Sequence, residues 1–491
     1  MKVILYNPPS SANRKPVLPM SLLALGAVLE KRHDYEIVDG NIVSDAFAAI
    51  EGHLQNAADV LAVTVMPGPQ LHHAVPLCEA LKQKYPHLTI VWGGYFPTQH
   101  WDVCLKADYV DFIIRGHGEL AFKQFLDRGG AVSCISEVPG LAYRDGTSGE
   151  PVSNPVAPVP SPDALPDFPY RKVDISKYIR KTFMGNRTLP HHSSYGCPFF
   201  CNFCAVVNMV QGRWLAQSAE RTARTVGYLV KTWKLDAVEF YDNNFFTSEE
   251  RVVDFSDRIK KLSIHWWGEA RIDTMLKFCD RTWQAMAASG LKMVFLGAES
   301  GSDATLKRMD KGGTATAGKT LEIARKMKAY GIIPEFSFVL GNPPDPQADT
   351  AQTIDFIRKV KQVNPESEII MYMYTPVPLS GELYEQAKIS GFSFPDTLEG
   401  WVSPRWLEFC QRRSTEMSWM KDPLRQKIEN FERVINAYFP TTTDIKLNAA
   451  QRFVLKMLSG WRYHTKIYKW PLELRFLQRA LTYQRPETSG F

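Results

Sequence analysis

The chain has 491 residues, 45% of them hydrophobic and 22% charged. At roughly 100–200 residues per domain it holds two to four domains, with cores large enough to fold without disulfides. That balance excludes wholesale disorder and collagen-like structure, and no run of about 18 apolar residues offers a membrane-spanning helix. The formal charge is +6, from 58 basic and 52 acidic residues, too mild to imply nucleic acid by itself. The excess is local, because nine Lys and Arg face three acids between Thr441 and Phe491. The opening MKVILYNPP is broken by Pro8-Pro9 too soon for a signal peptide, so a cytoplasmic location is the expectation.

The first 130 residues alternate short apolar runs with amphipathic stretches. Val3–Tyr6, Tyr35–Val38, Val60–Val65, Thr89–Trp92 and Val110–Ile114 read as strands. Met20–Arg32, Ala46–Leu54, Leu71–Lys84 and Glu119–Leu126 carry helical periodicity. Such alternation predicts a doubly wound, Rossmann-like parallel sheet over residues 1–135, whose ligand sits beyond the carboxyl ends of the strands. The loops there are Asn7-Pro8-Pro9-Ser10, Thr64–Gln70, Gly93–Thr98 and Arg115–Glu119. Their glycines and prolines permit close backbone approach to something large. Neither G-x-G-x-x-G nor G-K-[ST] follows the first strand, which weakens a nucleotide reading.

Seven prolines between Pro151 and Pro169 mark an extended linker, placed at residues 136–186. Strand–helix alternation then resumes over 187–385. Strands fit Leu189–Ser194, Ala237–Tyr241, His265–Ala270, Met293–Ala298, Pro334–Leu340 and Ile369–Tyr374. Helices fit Glu220–Thr232, Glu249–Leu262, Trp283–Ala288, Ala315–Tyr330 and Ala351–Gln362. Six such units predict a partial (β/α)6 TIM-type barrel with its active groups at the strands' carboxyl ends. Residues 386–491 read as a mostly helical, aromatic and basic region, with Trp401, Trp406, Trp419, Trp461 and Trp470. A solvated helical cap, a pocket for a large apolar or anionic substrate, and peripheral contact with a membrane surface are its three readings.

Of eight cysteines, Cys197, Cys201 and Cys204 fall within YGCPFFCNFC, directly after a predicted strand. Three thiolates spaced C-x3-C-x2-C can hold three irons of a [4Fe–4S] cluster and leave the fourth open. Structural zinc, with His191 or His192 as fourth ligand, and three metal-free buried cysteines are the alternatives.

This motif, with Phe203 before its last cysteine, resembles the signature of the radical S-adenosylmethionine (SAM) superfamily, and the likeness extends over most of residues 187–385. The resemblance implies that the open iron chelates the amino and carboxylate groups of SAM. An electron then cleaves a C–S bond to give a 5′-deoxyadenosyl radical. It also implies SAM contacts from Phe203, Tyr241, Arg271, Glu299 and Ser300, with ordinary ion pairing at a barrel rim as the bland reading. Thr375–Pro378 would lie near the adenine. No catalytic acid or base is assigned.

A doubly wound domain ahead of such a barrel resembles the cobalamin-dependent subgroup of that superfamily. The likeness rests on NPPSS, GGYFPT and RGHGELAF, over residues 1 to about 130. It implies cobalamin contacts from Asn7, Pro9, Ser10, Met66 and Gln70, from Gly93, Gly94 and Tyr95, and from Gly116 and Glu119. The axial-histidine pattern D-x-H-x-x-G is absent. His72, His73, His100 and His117 lie outside that context, so no histidine is expected on cobalt. The implied activity is methyl transfer from SAM, by way of methylcobalamin, to an unactivated carbon of a small molecule such as a natural product, lipid or tetrapyrrole. An external electron donor of the flavodoxin or ferredoxin type is implied, and nucleic acid is not. A cyclase or ring-rearranging enzyme on the same cofactors is the second reading. A zinc-stabilised nucleic-acid-binding protein is the reading from another class.

Overall fold

The computed structural model describes residues 1–10, 16–129, 132–156, 158–210, 212–410 and 417–481. Ser11, the last residue of NPPSS, and Arg485 and Glu487 of the basic tail lie outside them. The chain forms two compact units. Among the described residues no helix is long and apolar enough to cross a membrane.

The first unit comprises Met1–Tyr178, Asn208–Gln217 and Ser393–Gln411. Its sheet contains β1 (Lys2–Asn7), β2 (Asp34–Asp39), β3 (Val60–Thr64), β4 (Thr89–Gly93), β5 (Phe112–Ile114), β6 (Leu141–Arg144) and β7 (Pro151–Ser153), in the order β2-β1-β3-β4-β5-β6-β7. The first five strands run parallel. Their near-continuous apolar sequences suit burial on both faces. One face packs Val3, Leu5, Leu22, Phe122 and Phe125; the other packs Ile4, Tyr6, Leu71, Cys78 and Trp92. The order reverses between β1 and β3, which opens a crevice beyond their carboxyl ends.

Two sequence expectations need correction here. The predicted linker is partly sheet: β6 pairs antiparallel with β5, and β7 with β6. Proline-rich composition hid this, yet β7 is the sheet's edge and begins at Pro151, where a missing N–H leaves no ladder bond unmade. The predicted carboxyl-terminal region is also divided. Leu398 and Trp401 join the first unit's core, with Trp401 against Phe96 and His100 at ring separations of 5.1 and 4.7 Å.

The second unit comprises Ile179–Val207, Ser218–Phe392 and Arg412–Phe491. It begins with β8 (Thr188–His191) and the short β9 (Ser194–Gly196); the similarly short β10 (Trp214–Ala216) lies in the first unit's segment. Then come β11 (Ala237–Phe240), β12 (His265–Ala270), β13 (Leu291–Glu299), β14 (Ile333–Leu340) and β15 (Glu368–Met373). The six-stranded sheet has the order β15-β14-β13-β12-β11-β8, all parallel, as a partial barrel requires. Helices Ala219–Trp233, Glu249–Ile259, Asp280–Ala288, Ala317–Ala329 and Pro346–Val363 follow successive strands. Alternation along the strands separates two environments. Phe240 and Trp266 face the helices and are fully buried with Phe245 and Phe255. Glu239, Trp267 and Glu269 alternate with them and lie on the opposite, inner side.

The last helices, Asp422–Tyr438, Ala449–Thr465 and Leu472–Leu481, are tied to the barrel by Glu368. Its carboxylate accepts from Thr443 N at 2.9 Å and from the hydroxyls of Thr442 at 2.8 Å and Thr443 at 3.1 Å. Trp266 anchors the barrel's outer layer, and its indole N–H donates to Ser289 Oγ at 3.1 Å. Trp266→Ala should cost about 3–5 kcal/mol, measured as a shifted denaturant midpoint, because it leaves a cavity and removes the hydrogen bond to Ser289 Oγ.

Candidate active site

In the second unit the cysteine loop follows β9. Cys201 is buried, and Cys197 and Cys204 are partly so. The loop is pinned at Asn202, whose backbone N–H donates to Met309 O at 3.2 Å and whose side chain donates to Arg308 O at 2.6 Å. Arg271, just past β12, points at this loop. Its Nη1 donates to Cys201 Sγ at 3.2 Å. Nε and Nη2 fork onto Asp273 at 3.0 and 2.9 Å, and Nη2 also donates to Lys311 O at 2.7 Å. Four of the guanidinium's five N–H groups are thus engaged, leaving one on Nη1. The Phe199 ring lies under the guanidinium, 3.7 Å from its carbon. On the neighbouring strand end, Asn244 Nδ2 reaches Cys197 Sγ at 3.7 Å.

Burial pushes the Cys201 thiol up, while Lys311 and Arg271 pull it back. Burial pushes Cys204 up to about 12, with Cys201 and Cys197 adding to it. Desolvated thiols facing donors are suited to becoming thiolates when a metal neutralises them. Among the described residues no three His, Cys, Asp or Glu side chains already converge on one point. What fits a cluster is the donor set: three thiols in one loop, two of them receiving hydrogen bonds from side chains. The zinc alternative loses its fourth ligand, because His191 turns to the helix layer against Phe240, 6.0 Å away, and His192 packs on Tyr195, 5.8 Å away.

Glu299 ends β13 in a left-handed conformation, φ +62°, beside a register shift between Gly297 and Glu299. Such a backbone costs a non-glycine residue about 1–3 kcal/mol and gathers at functional sites. Its Oε1 accepts from Lys311 Nζ at 2.9 Å, and the same ammonium donates to Gly297 O at 2.7 Å. Tyr241 joins Arg180 and Glu239. Arg180 Nη2 donates to Tyr241 Oη at 2.6 Å and pairs with Glu239, and Tyr241 Oη donates to Glu239 Oε2 at 3.1 Å. Ser300, at the strand end after Glu299, is placed differently from Glu299. It is fully buried and its hydroxyl faces Asp349 at 3.1 Å and Thr353 at 3.2 Å, so it braces helix Pro346–Val363. Phe203 is half-buried in the loop; Phe199 is the aromatic that meets Arg271. Phe199, Asp273 and Lys311 were missed from sequence. Only Asp273, two residues beyond Arg271, carried a local signal.

Glu269 sits at the carboxyl end of β12, two residues before Arg271. Burial pushes its carboxyl up to about 8, and Asp242 adds to the shift. Asp242 is itself fully buried and accepts from Ser193 N at 3.1 Å and Ser193 Oγ at 2.9 Å.

In the first unit the crevice loops are knitted together by Asp39. Its Oδ1 accepts from Asn7 Nδ2 and from Asn41 N and Nδ2, each at 2.9 Å, and its Oδ2 accepts from Tyr178 Oη at 2.7 Å. Gln70 Nε2 donates to Asn7 Oδ1 at 2.9 Å, and Gln70 Oε1 accepts from Met66 N at 2.9 Å. Ser10 bonds Asn41 Oδ1 through N at 2.8 Å and Oγ at 3.1 Å. Asn7 and Gln70 are buried, and their side chains bond one another in the crevice floor. Met66 is exposed on its rim. Pro9 abuts Gly40, where an added Cβ would meet its Cδ at 2.6 Å.

Gly68, Gly94 and Gly116 have φ of +87°, +96° and +76° at three strand ends. A Cβ on Gly94 would lie 3.0 Å from Thr64 Oγ1 and 3.1 Å from Val65 N, whereas Gly93 has ordinary clearance. Tyr95 opens the short helix Tyr95–Gln99, and Glu119 is buried in the first turn of helix Gly118–Asp127. Strand ends turned by left-handed glycines, with Gly93 open beside them, fit a broad planar group laid against backbone, as a corrin would be. His72 and His73 lie exposed on helix Pro69–Lys84. His100 is packed among Phe96, Phe394 and Trp401, with burial pushing its imidazole down to about 4.

These two units define a class: a doubly wound cofactor-binding domain and a parallel partial barrel with a cysteine loop at its active end. Family models agree part by part. The B12 binding domain matches residues 14–126, and the Radical SAM superfamily matches residues 192–357. The chain belongs to the cobalamin-dependent radical SAM enzymes. It is 26% identical over 370 residues to an uncharacterized methyltransferase of Pyrococcus horikoshii, covering 73% of this chain and 78% of that one. It is 24% identical over 388 residues to the anaerobic magnesium-protoporphyrin IX monomethyl ester cyclase of Synechocystis, covering 76% and 75%. Its fold resembles the cobalamin-dependent S-adenosylmethionine radical enzyme OxsB with aqua-cobalamin bound. The TM-score is 0.63 at 21% identity, over 84% of this chain and 56% of that one.

A carboxyl with a folded-state value near 8 against an ordinary 4.5 favours folding while protonated. Its contribution is complete below about pH 4.5 and is lost as pH rises through about 8. Glu269→Gln should therefore flatten the fall of the apo chain's melting temperature between those pH values. Parallel curves for the two proteins would place that titration elsewhere.

Proposed function

We propose that this enzyme transfers a methyl group from SAM to an unactivated carbon of a small molecule, in the cytoplasm, with an external one-electron donor. The carrying observation is the hydrogen bond from Arg271 to Cys201, in a barrel that shares one chain with a B12-type domain. When bound, the cluster and SAM supply radical chemistry and the corrin carries the methyl group. The chain's own residues do the rest.

Cys197, Cys201 and Cys204 would hold the cluster. Arg271 and Asn244 donate to two of the sulfurs and stabilise their negative charge. The last Nη1 hydrogen of Arg271 suits a carboxylate, and Glu299, held by Lys311, suits hydroxyl or ammonium donors. Tyr241 with Arg180 and Glu239, and Trp267 with its indole N–H on Glu335 at 3.0 Å, wall the barrel interior. Glu269 holds its proton on the carboxyl at neutral pH, next to where substrate would enter the barrel. Clustered unpaired thiols suit a reducing compartment. The sequence likeness to the Synechocystis cyclase favours ring formation on the same cofactors as the second reading.

With the reconstituted enzyme, methyl-deuterated SAM should place label in product, with S-adenosylhomocysteine and 5′-deoxyadenosine both formed. Deoxyadenosine with an unlabelled, cyclised product would favour the second reading. Cys201→Ala should abolish iron retention and turnover, while Arg271→Ala should lower turnover roughly a hundredfold or more, as loss of a charged donor does. Full activity in either variant would overturn the assignment.

A further inference from the structure

The helix Ala449–Thr465 has two apolar faces. Leu455 and Tyr463 point inward and are buried with Ser459 and Arg462. Phe453, Met457 and Trp461, spaced i, i+4, i+8, and Val454 and Leu458 beside them, form a second stripe that faces out. Met457 is 63% exposed and Trp461 50%. The next helix, Leu472–Leu481, buries Leu474 and turns Leu472 and Phe476 outward, and Phe476 is 72% exposed. Trp470, in the turn between them, is 70% exposed and itself in a left-handed conformation at φ +52°. A helix needs one apolar face to pack on its own core. Large side chains exposed as a contiguous second stripe mark a surface with an occupant.

The charges say which occupant. Between residues 449 and 481 there are seven Lys and Arg and one acid, Glu473. That acid is consumed internally by Arg462, whose Nη2 donates to it at 3.0 Å. Lys456, Lys469, Arg475 and Arg479 are exposed around the apolar stripes, and Lys466, also exposed, is bridged to Asp355 at 2.8 Å. A second copy meeting this face would bring like charges together. Nucleic acid would meet the cations but leave the apolar stripe unburied. A partner that offers both an acyl layer and negative headgroups satisfies the two features at once, with long cationic side chains reaching up to the headgroups.

We propose that helices Ala449–Thr465 and Leu472–Leu481 dock this enzyme on the surface of an anionic lipid bilayer, with Phe453, Met457, Trp461, Trp470 and Phe476 entering the interface. The docking is peripheral and independent of the barrel chemistry. The test is flotation of the full chain with phosphatidylcholine vesicles and with vesicles containing roughly one-third phosphatidylglycerol. The protein should float with the anionic vesicles, at least tenfold less with the neutral ones, and lose binding at high salt.

The double variant Trp461→Glu, Phe476→Glu should lower partitioning roughly tenfold or more. The triple variant Lys456→Glu, Lys469→Glu, Arg479→Glu should do the same while leaving the apolar stripe intact. All five substituted side chains face solvent, so circular dichroism and melting should match the parent chain. Absence of binding to anionic vesicles, or unchanged binding in either variant, overturns the proposal. A concentration-dependent dimer that Trp461→Glu abolishes would also overturn it and assign the face to a second copy.

Discussion

One guanidinium connects the parts of the barrel that must act together. Arg271 holds the edge of the third barrel strand to Asp273, the strand to the Lys311 carbonyl, and the whole assembly to Cys201 in the cysteine loop. Phe199 closes its open face. A buried cation is tolerable only when its donors are satisfied, and here carboxylate, carbonyl and sulfur satisfy four of five. The arrangement therefore fixes the position of the charge before any ligand arrives. Lys311 extends the same logic, since its carbonyl receives Arg271 while its ammonium positions the strained Glu299 carboxylate.

The first unit reaches a comparable result by removing side chains instead of adding charge. Glycines in left-handed conformations turn the chain tightly at the strand ends, and a buried amide–carboxylate network centred on Asp39 ties the crevice loops together. A rigid floor and a glycine-turned rim together suit a large flat cofactor whose binding energy comes from area. The two units thus illustrate different means of preorganisation: charge pinned by hydrogen bonds in one, and surface emptied by backbone geometry in the other.

The secondary structure of both units was largely legible, because parallel strands buried on two faces leave uninterrupted apolar runs and the helices between them keep their period. Val3–Tyr6 and Leu71–Lys84 are examples, each recovered within two residues. Strands β6 and β7 were not, since β6 is only four residues long and β7 is a short edge strand beginning at proline. Nor was the return of Leu398 and Trp401 to the first unit's core, because a long-range contact leaves no periodic trace.

The sequence by itself determined the chemistry: three thiols at a spacing that only local chain geometry constrains, following a strand of a βα repeat. Tertiary structure alone decided which groups serve that chemistry. Ser300, Asn7 and Gln70 lie at the predicted strand ends, yet their side chains turn to Asp349, Asp39 and Met66 and act as braces. Phe199, Lys311 and Glu269 acquire their parts only because folding sets them beside Arg271, Glu299 and Asp242. Hydrogen bonding and desolvation depend on neighbours distant in the chain, and a linear sequence does not record which neighbours those will be.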